Sequence, residues 1–164
     1  MKLRAGRQGS CVIELILGLC VLVPIILYGV DVAAILLASG MLNGACCEAA
    51  RMASNGPPAS LIGPHENQEV LPASPPYQRA IASLATGGHP AFLQIDPNLH
   101  VIETVVAPIP VSPSGNPVNG EVTVQMQATV AVPCVLPCLP SFMTVSAQKT
   151  FPYTWTVPAT TSTT

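Results

Sequence analysis

The chain has 164 residues, a formal net charge of −2 and only 9% charged side chains, against roughly 25% in an ordinary soluble domain. No basic stripe runs through it, which removes the electrostatic basis for nucleic-acid binding and excludes that class of function. The length suits one domain plus an appendage, and 18 prolines among so few charges predict loop-rich, extended structure after the first third.

Residues 1–9, MKLRAGRQG, form a short basic leader in which Lys2, Arg4 and Arg7 meet no acid. From Ser10 to about Ser54 the pattern predicts one long helix. Between Cys11 and Leu42 its only ionisable carboxylates are Glu14 and Asp31, and the run from Leu15 to Val30 is uncharged. A membrane-spanning helix needs about 20 mainly apolar residues, and this region supplies more. A removable signal peptide would have an apolar core of about 7–15 residues; this run is longer, and the helical patterning continues past it. The basic leader predicts a cytoplasmic N-terminus, with the bulk of the chain across the membrane.

The helix should end at Asn55-Gly56-Pro57-Pro58, a strong stop signal. That gives a 10–55 rod of roughly 65 Å, about twice the hydrocarbon thickness, so its far half projects out of the bilayer. Glu48 and Arg51 have the i,i+3 spacing of a local ion pair. Pro24 removes one backbone hydrogen bond and is expected to bend or locally melt the rod. Gly18, Gly29 and Gly40 are spaced by eleven, which returns a helix to nearly the same face, and Gly44 extends the stripe as GxxxG. Such a stripe either lets helix backbones approach closely in lipid or reflects the general abundance of glycine in membrane helices.

Residues 56–76 are proline-rich and suit a linker. YQRAIASLAT, 77–86, fits a short amphipathic helix closed by Gly87-Gly88. Strand-like runs follow at 99–106, 120–132 and 142–157, the last with a break expected at Pro152. The middle run alternates most clearly, with Val122, Val124 and Met126 on one face and Thr123, Gln125 and Gln127 on the other. The tail at 158–164 is predicted to be disordered. The expected fold class is α+β: a long N-terminal transmembrane helix, then a small antiparallel β-rich module with one short helix at 77–157.

Of the six cysteines, Cys11 and Cys20 suit small hydrophobes in the apolar run. Cys46 and Cys47, adjacent on a helix, point to different faces and should not bridge. Cys134 and Cys138, in PCVLPC, form a candidate disulfide if their loop lies outside the cytoplasm. His65, His89 and His100 are scattered and read as surface polar residues. No metal-ligand spacing, nucleophile motif or phosphate loop is found, so neither a cofactor nor enzymatic activity is expected. Glu14 remains. It is either an interfacial acid at a helix start, or the counter-charge of a new amine. If the chain were cut between Gly9 and Ser10, the α-amine of Ser10 would lie four residues before Glu14 on one helical face, or could meet Glu14 of a neighbouring subunit.

The segment RQGSCVIE resembles the processing site of type IV prepilins: a basic leader, a glycine before the cut, a glutamate at the fifth mature position and a long apolar helix. More narrowly, residues 6–56 resemble the N-terminal region of TadE-like proteins, the pseudopilins of tight-adherence pili. The matching positions are Gly9, Glu14, Pro24, Asp31, Asn43, Glu48 and Arg51; Val32 and Leu15 stand where that family usually carries aromatics. The resemblance implies a pilus-assembly protein of the inner membrane, anchored once, which works by helix packing. Its implied partners are other pilins, an inner-membrane assembly platform and a prepilin peptidase. The alternative is a generic single-pass envelope protein whose outer module binds an unknown partner.

Overall fold

The computed structural model describes residues 6–59, 65–88, 90–106, 117–132 and 141–156, with side chains from Val12 onward. The first element, α1 (Gly6–Ser54), is one continuous helix that passes through Pro24 without a break. It starts ahead of the expected Ser10, because nothing between Gly6 and Ser10 interrupts helical geometry. Its end falls where the Asn-Gly-Pro-Pro run puts it. Gly56 has φ 139°, backbone that favours glycine, and Ser54 Oγ donates to Arg51 O at 2.8 Å.

The helix has two halves. Apart from Leu27, every large apolar side chain from Val12 to Val30 is 44–66% exposed. Beyond that point one face is covered: Asp31, Ala38, Leu42, Cys46, Ala49 and Ala53 are all buried. These positions recur at helical spacing, and most are small, so the backbone lies close against the sheet. Cys46 Sγ comes near enough to donate to Val124 O at 3.3 Å.

The sheet is antiparallel, and its spine is β4 (Pro117–Ala131). One edge of β4 pairs first with β3 (His100–Val105) and then with β2 (Leu93–Ile95); the other pairs along its whole length with β5 (Phe142–Thr156). Outside β3 lies β1 (His65–Glu69). The alternation expected for β4 is present, with Val118, Gly120, Val122, Val124, Met126, Ala128 and Val130 turned inward. Each fully buried Val or Leu on such a face contributes about 1.5–3 kcal/mol through burial. The remaining helix, α2 (Pro75–Thr86), packs on α1 with Tyr77 and Ala80 buried.

Several details differ from the sequence reading. The proline-rich 56–76 stretch contributes β1 rather than serving wholly as a linker. β1 carries a register shift between His65 and Gln68, and Asn67 sits there at φ 48°, a conformation asparagine tolerates. α2 starts at Pro75 because proline suits the first helical turn. β2 has only three residues and had no sequence signal. β5 continues through Pro152, since an edge strand is where a sheet accepts proline. The Cys134–Cys138 loop, His89 and the 158–164 tail lie outside the described residues.

The helix direction is set by contacts at two levels of its covered half. Near its C-terminus Arg79 binds Met52 O and Ala53 O, and the same guanidinium feels Glu103 and Tyr153, which flank the start of β4. Cys46 lies at Val124. The helix therefore runs antiparallel to β4, and its apolar half leaves the sheet at the end where β4 meets β5.

Candidate functional site

Helix α1 presents its free surface opposite its covered one. At about 100° per residue, Gly18, Gly29, Gly40 and Gly44 fall roughly 140–220° from Asp31 around the axis. All four are exposed, and a Cβ built on any of them would meet nothing within 4 Å. The predicted stripe is thus absent from the core of this chain and available to something outside it. At its upper end a groove of about 380 Å³ opens between α1 and the end of α2, with Met41 and Gly44 on one wall and Leu84, Gly87 and Pro90 on the other. Glu14 is exposed on the apolar half. Gly9 and Ser10 have helical backbone.

Asp31 is 0% exposed, and neither of its carboxylate oxygens has a hydrogen-bond partner. It stands where the bare half of the helix becomes the covered half. A buried carboxylate without a partner is costly, and the sequence reading used it only as a point of family resemblance.

A second buried acid anchors the other end of the helix. Glu103 lies on the inner face of β3 between Val101 and Val105, fully buried. Its Oε1 accepts from Tyr153 Oη at 2.8 Å, its Oε2 accepts from Ala59 N–H at 2.8 Å, and His65 Nε2 lies 3.5 Å from Oε2. Burial, reinforced by the bond to Glu103, pushes the Tyr153 hydroxyl well above the usual phenol range. Above it, Arg79 donates to Met52 O at 3.2 Å and through Nη2 to Ala53 O at 2.7 Å and Pro57 O at 3.0 Å. It thereby caps the carbonyl end of α1, where positive charge complements the helix dipole. Burial lowers the pKa of that guanidinium, and the neighbouring Glu103 opposes the shift. These groups tie helix to sheet. His65, expected at the surface, belongs to this buried set. The sequence signal for Glu103 was its parity with Val101 and Val105, obscured because Ile102 on the opposite face is also apolar.

Of the other expected pairs, Glu48 and Arg51 do meet, Oε1 to Nη2 at 2.6 Å on the exposed surface. His100 Nδ1 lies 2.8 Å from Glu69 Oε1, also exposed. Cys20, Cys46 and Cys47 are free thiols. The outer face of the sheet carries a shallow groove of about 380 Å³ lined by polar side chains that include His100, Gln125, Gln127, Ser146 and Gln148.

Compared with protein-family models, curated proteins and solved structures, the chain finds no match. The long N-terminal helix has a mean hydropathy of 2.5 in its most apolar window, compatible with a single-pass membrane anchor.

Proposed function

We propose that this chain is a TadE-like pseudopilin, a single-pass inner-membrane protein that takes part in assembly of a tight-adherence pilus by packing its helix against other helices. The observation that carries the reading is the division of α1. One face of its outer half is sealed by the sheet, while the glycine face and, apart from Pro24 and Leu27, the apolar half from Val12 to Val30 remain exposed. Small residues on such a face permit close backbone approach in lipid.

The strand edges argue for the helix as the assembling element. β1 reads HENQE, with two acids and a bulge. β5 carries Pro152, and Lys149 on its inward parity. Charged and proline-bearing edges discourage strand addition. In this reading, removal of residues 1–9 frees the Ser10 amine, and Glu14 supplies its counter-charge, in the same chain or a neighbouring one. The module at the far end of α1 stands outside the cytoplasm, and the implied partners are other pilins, the assembly platform and a prepilin peptidase. A generic envelope protein is the second reading, favoured by the polar groove on the outer sheet face, which could hold a hydroxyl-rich ligand.

Two measurements test the first reading. The intact mass of protein extracted from native membranes should fall short of the full chain by the leader, and Gly9→Val should restore it. Gly40→Leu should weaken cross-linking to partner helices in membranes, while Val21→Ala, exposed but about 100° around the helix from Gly40, should leave it near wild type. Since a side chain at Gly40 meets nothing in the monomer, a loss of association there would report the interface and not a damaged fold. Equal effects at both positions, with the leader retained, would leave the envelope-protein reading.

A further inference from the structure

The outer face of the sheet carries a ladder of mostly uncharged polar side chains. Residues directly opposed on β4 and β5 share a face, so their side chains meet in pairs. Two of these pairs close on themselves. Thr154 Oγ1 donates to Asn119 Oδ1 at 2.9 Å, and the hydroxyls of Thr123 and Thr150 lie 2.8 Å apart. The next two pairs along the ladder, Gln125 with Gln148 and Gln127 with Ser146, make no side-chain hydrogen bond among the described residues. Three glutamine amides therefore stand open side by side. Each offers two N–H donors and a carbonyl acceptor.

These amides line the polar groove of about 380 Å³ on that face. The connection from β2 to β3 walls it on one side. Two bonds fix that connection: Asp96 N–H donates to Gln127 O at 2.9 Å, and Asn98 N–H donates to Asp96 Oδ1 at 2.8 Å. Asn98 and His100 also line a second, adjoining groove of about 370 Å³, which is more apolar and includes Val70, Leu71, Tyr77 and Leu99. Each volume lies within the range of small-molecule sites, about 300–1,000 Å³. Among the described residues no lysine or arginine lines either groove. The one acid, Glu69, is already paired with His100 Nδ1 at 2.8 Å.

We infer that the outer sheet face binds a neutral oligosaccharide, with its hydroxyls on the open amides of Gln125, Gln127 and Gln148 and its apolar C–H faces in the adjoining groove past Asn98 and His100. The ligand is neutral because the site holds no free charge to offset one taken out of water. It is rich in hydroxyls because each hydroxyl both donates and accepts, which matches a row of amides that do the same. Two adjoining grooves, one polar and one apolar, suit the two kinds of surface on a sugar ring. An extended peptide fits less well, since it gains most of its hydrogen bonds at a strand edge and these amides stand on a face. The inference rests on the outer face being a ligand surface, as in the envelope-protein reading. It is compatible with helix packing, because α1 lies against the inner face of the sheet.

The full chain, with isotope-labelled glutamine amides, would be placed in phosphatidylcholine nanodiscs and followed by NMR. Three probes would be titrated: cellotriose, triacetylchitotriose and a trialanine peptide blocked at both ends. At least one of the sugars should move the side-chain amide signals of Gln125, Gln127 and Gln148 to saturation, and the peptide should not. Gln125→Ala and Gln148→Ala should each weaken sugar binding about tenfold, the loss of two hydrogen bonds of ordinary net strength. Thr150→Val, from the neighbouring closed pair, should bind as the unaltered protein does. All three side chains lie outside the core, so the variants keep the fold. Sugar binding that both glutamine variants leave unchanged would overturn the site. Saturable binding of the peptide alone would overturn the ligand class while leaving the face a binding surface. Silence with all three probes would overturn the inference and remove the support that this groove gives to the envelope-protein reading.

Discussion

Glycine plays opposite parts at two positions in this chain. At Gly120 a Cβ would lie 2.5 Å from Thr104 O and 2.8 Å from the Tyr153 ring. The missing side chain lets Tyr153 lie across β4, which brings its hydroxyl to Glu103. Gly120→Ala should therefore destabilise the fold by about 1–3 kcal/mol, the usual cost of overpacking a filled site. At Gly44 a Cβ meets nothing within 4 Å, and helical alanine is favoured over glycine by about 0.8–1.0 kcal/mol. Gly44→Ala should leave the fold unharmed or more stable. Denaturant unfolding of both variants in detergent gives the comparison; a similar shift in the same direction would mean that the Tyr153 contact does not control Gly120.

Elements behave as pairs joined at their ends, and Arg79 shows how. It sits on α2, yet its hydrogen bonds go to the last carbonyls of α1 and to Pro57 beyond. Arg79→Met would leave those carbonyls without their donor and lower stability by about 1.5–3 kcal/mol, nearer the lower figure because the group is partly exposed. Arg79→Lys should recover only part of the loss, since an ammonium cannot reproduce the fork that reaches all three acceptors. Thermal unfolding of the two variants decides it; full recovery by lysine would reduce the contact to charge alone. Such links explain which features could be read from sequence. α1, its Asn-Gly stop and the alternation of β4 follow from local pattern. The glycine stripe left two readings open in the sequence, a packing face or the general abundance of glycine, and whether that face is free depends on what packs on the other side. The clasp of Glu103, Tyr153, Arg79 and His65 draws one residue from each of four elements. β2 is held by its pairing with β4 and by Ala131 N–H donating to Phe92 O at 2.9 Å, neither of which leaves a local signature in three residues.

Across the whole molecule, charge is arranged along one axis. Lys2, Arg4 and Arg7 precede the apolar run, and no basic residue follows until Arg51, at the far end of the helix. Basic residues within about 15–20 residues of a spanning segment favour the cytoplasmic side. The leader lies within that distance of the run, whereas Arg51 stands about 30 Å beyond Val30, too far to compete. The N-terminus should therefore stay inside, with the sheet and the buried clasp on the other face of the membrane. A tag appended after Thr164 should be lost when an impermeant protease is added to intact spheroplasts, while a cytoplasmic control protein remains whole. The N-terminus is a poor place for the reporter, because removal of the leader would mimic digestion. A C-terminal tag that survives until the spheroplasts are lysed would reverse the orientation. The module would then meet cytoplasmic partners, and the pilus reading would lose the exported module on which assembly depends.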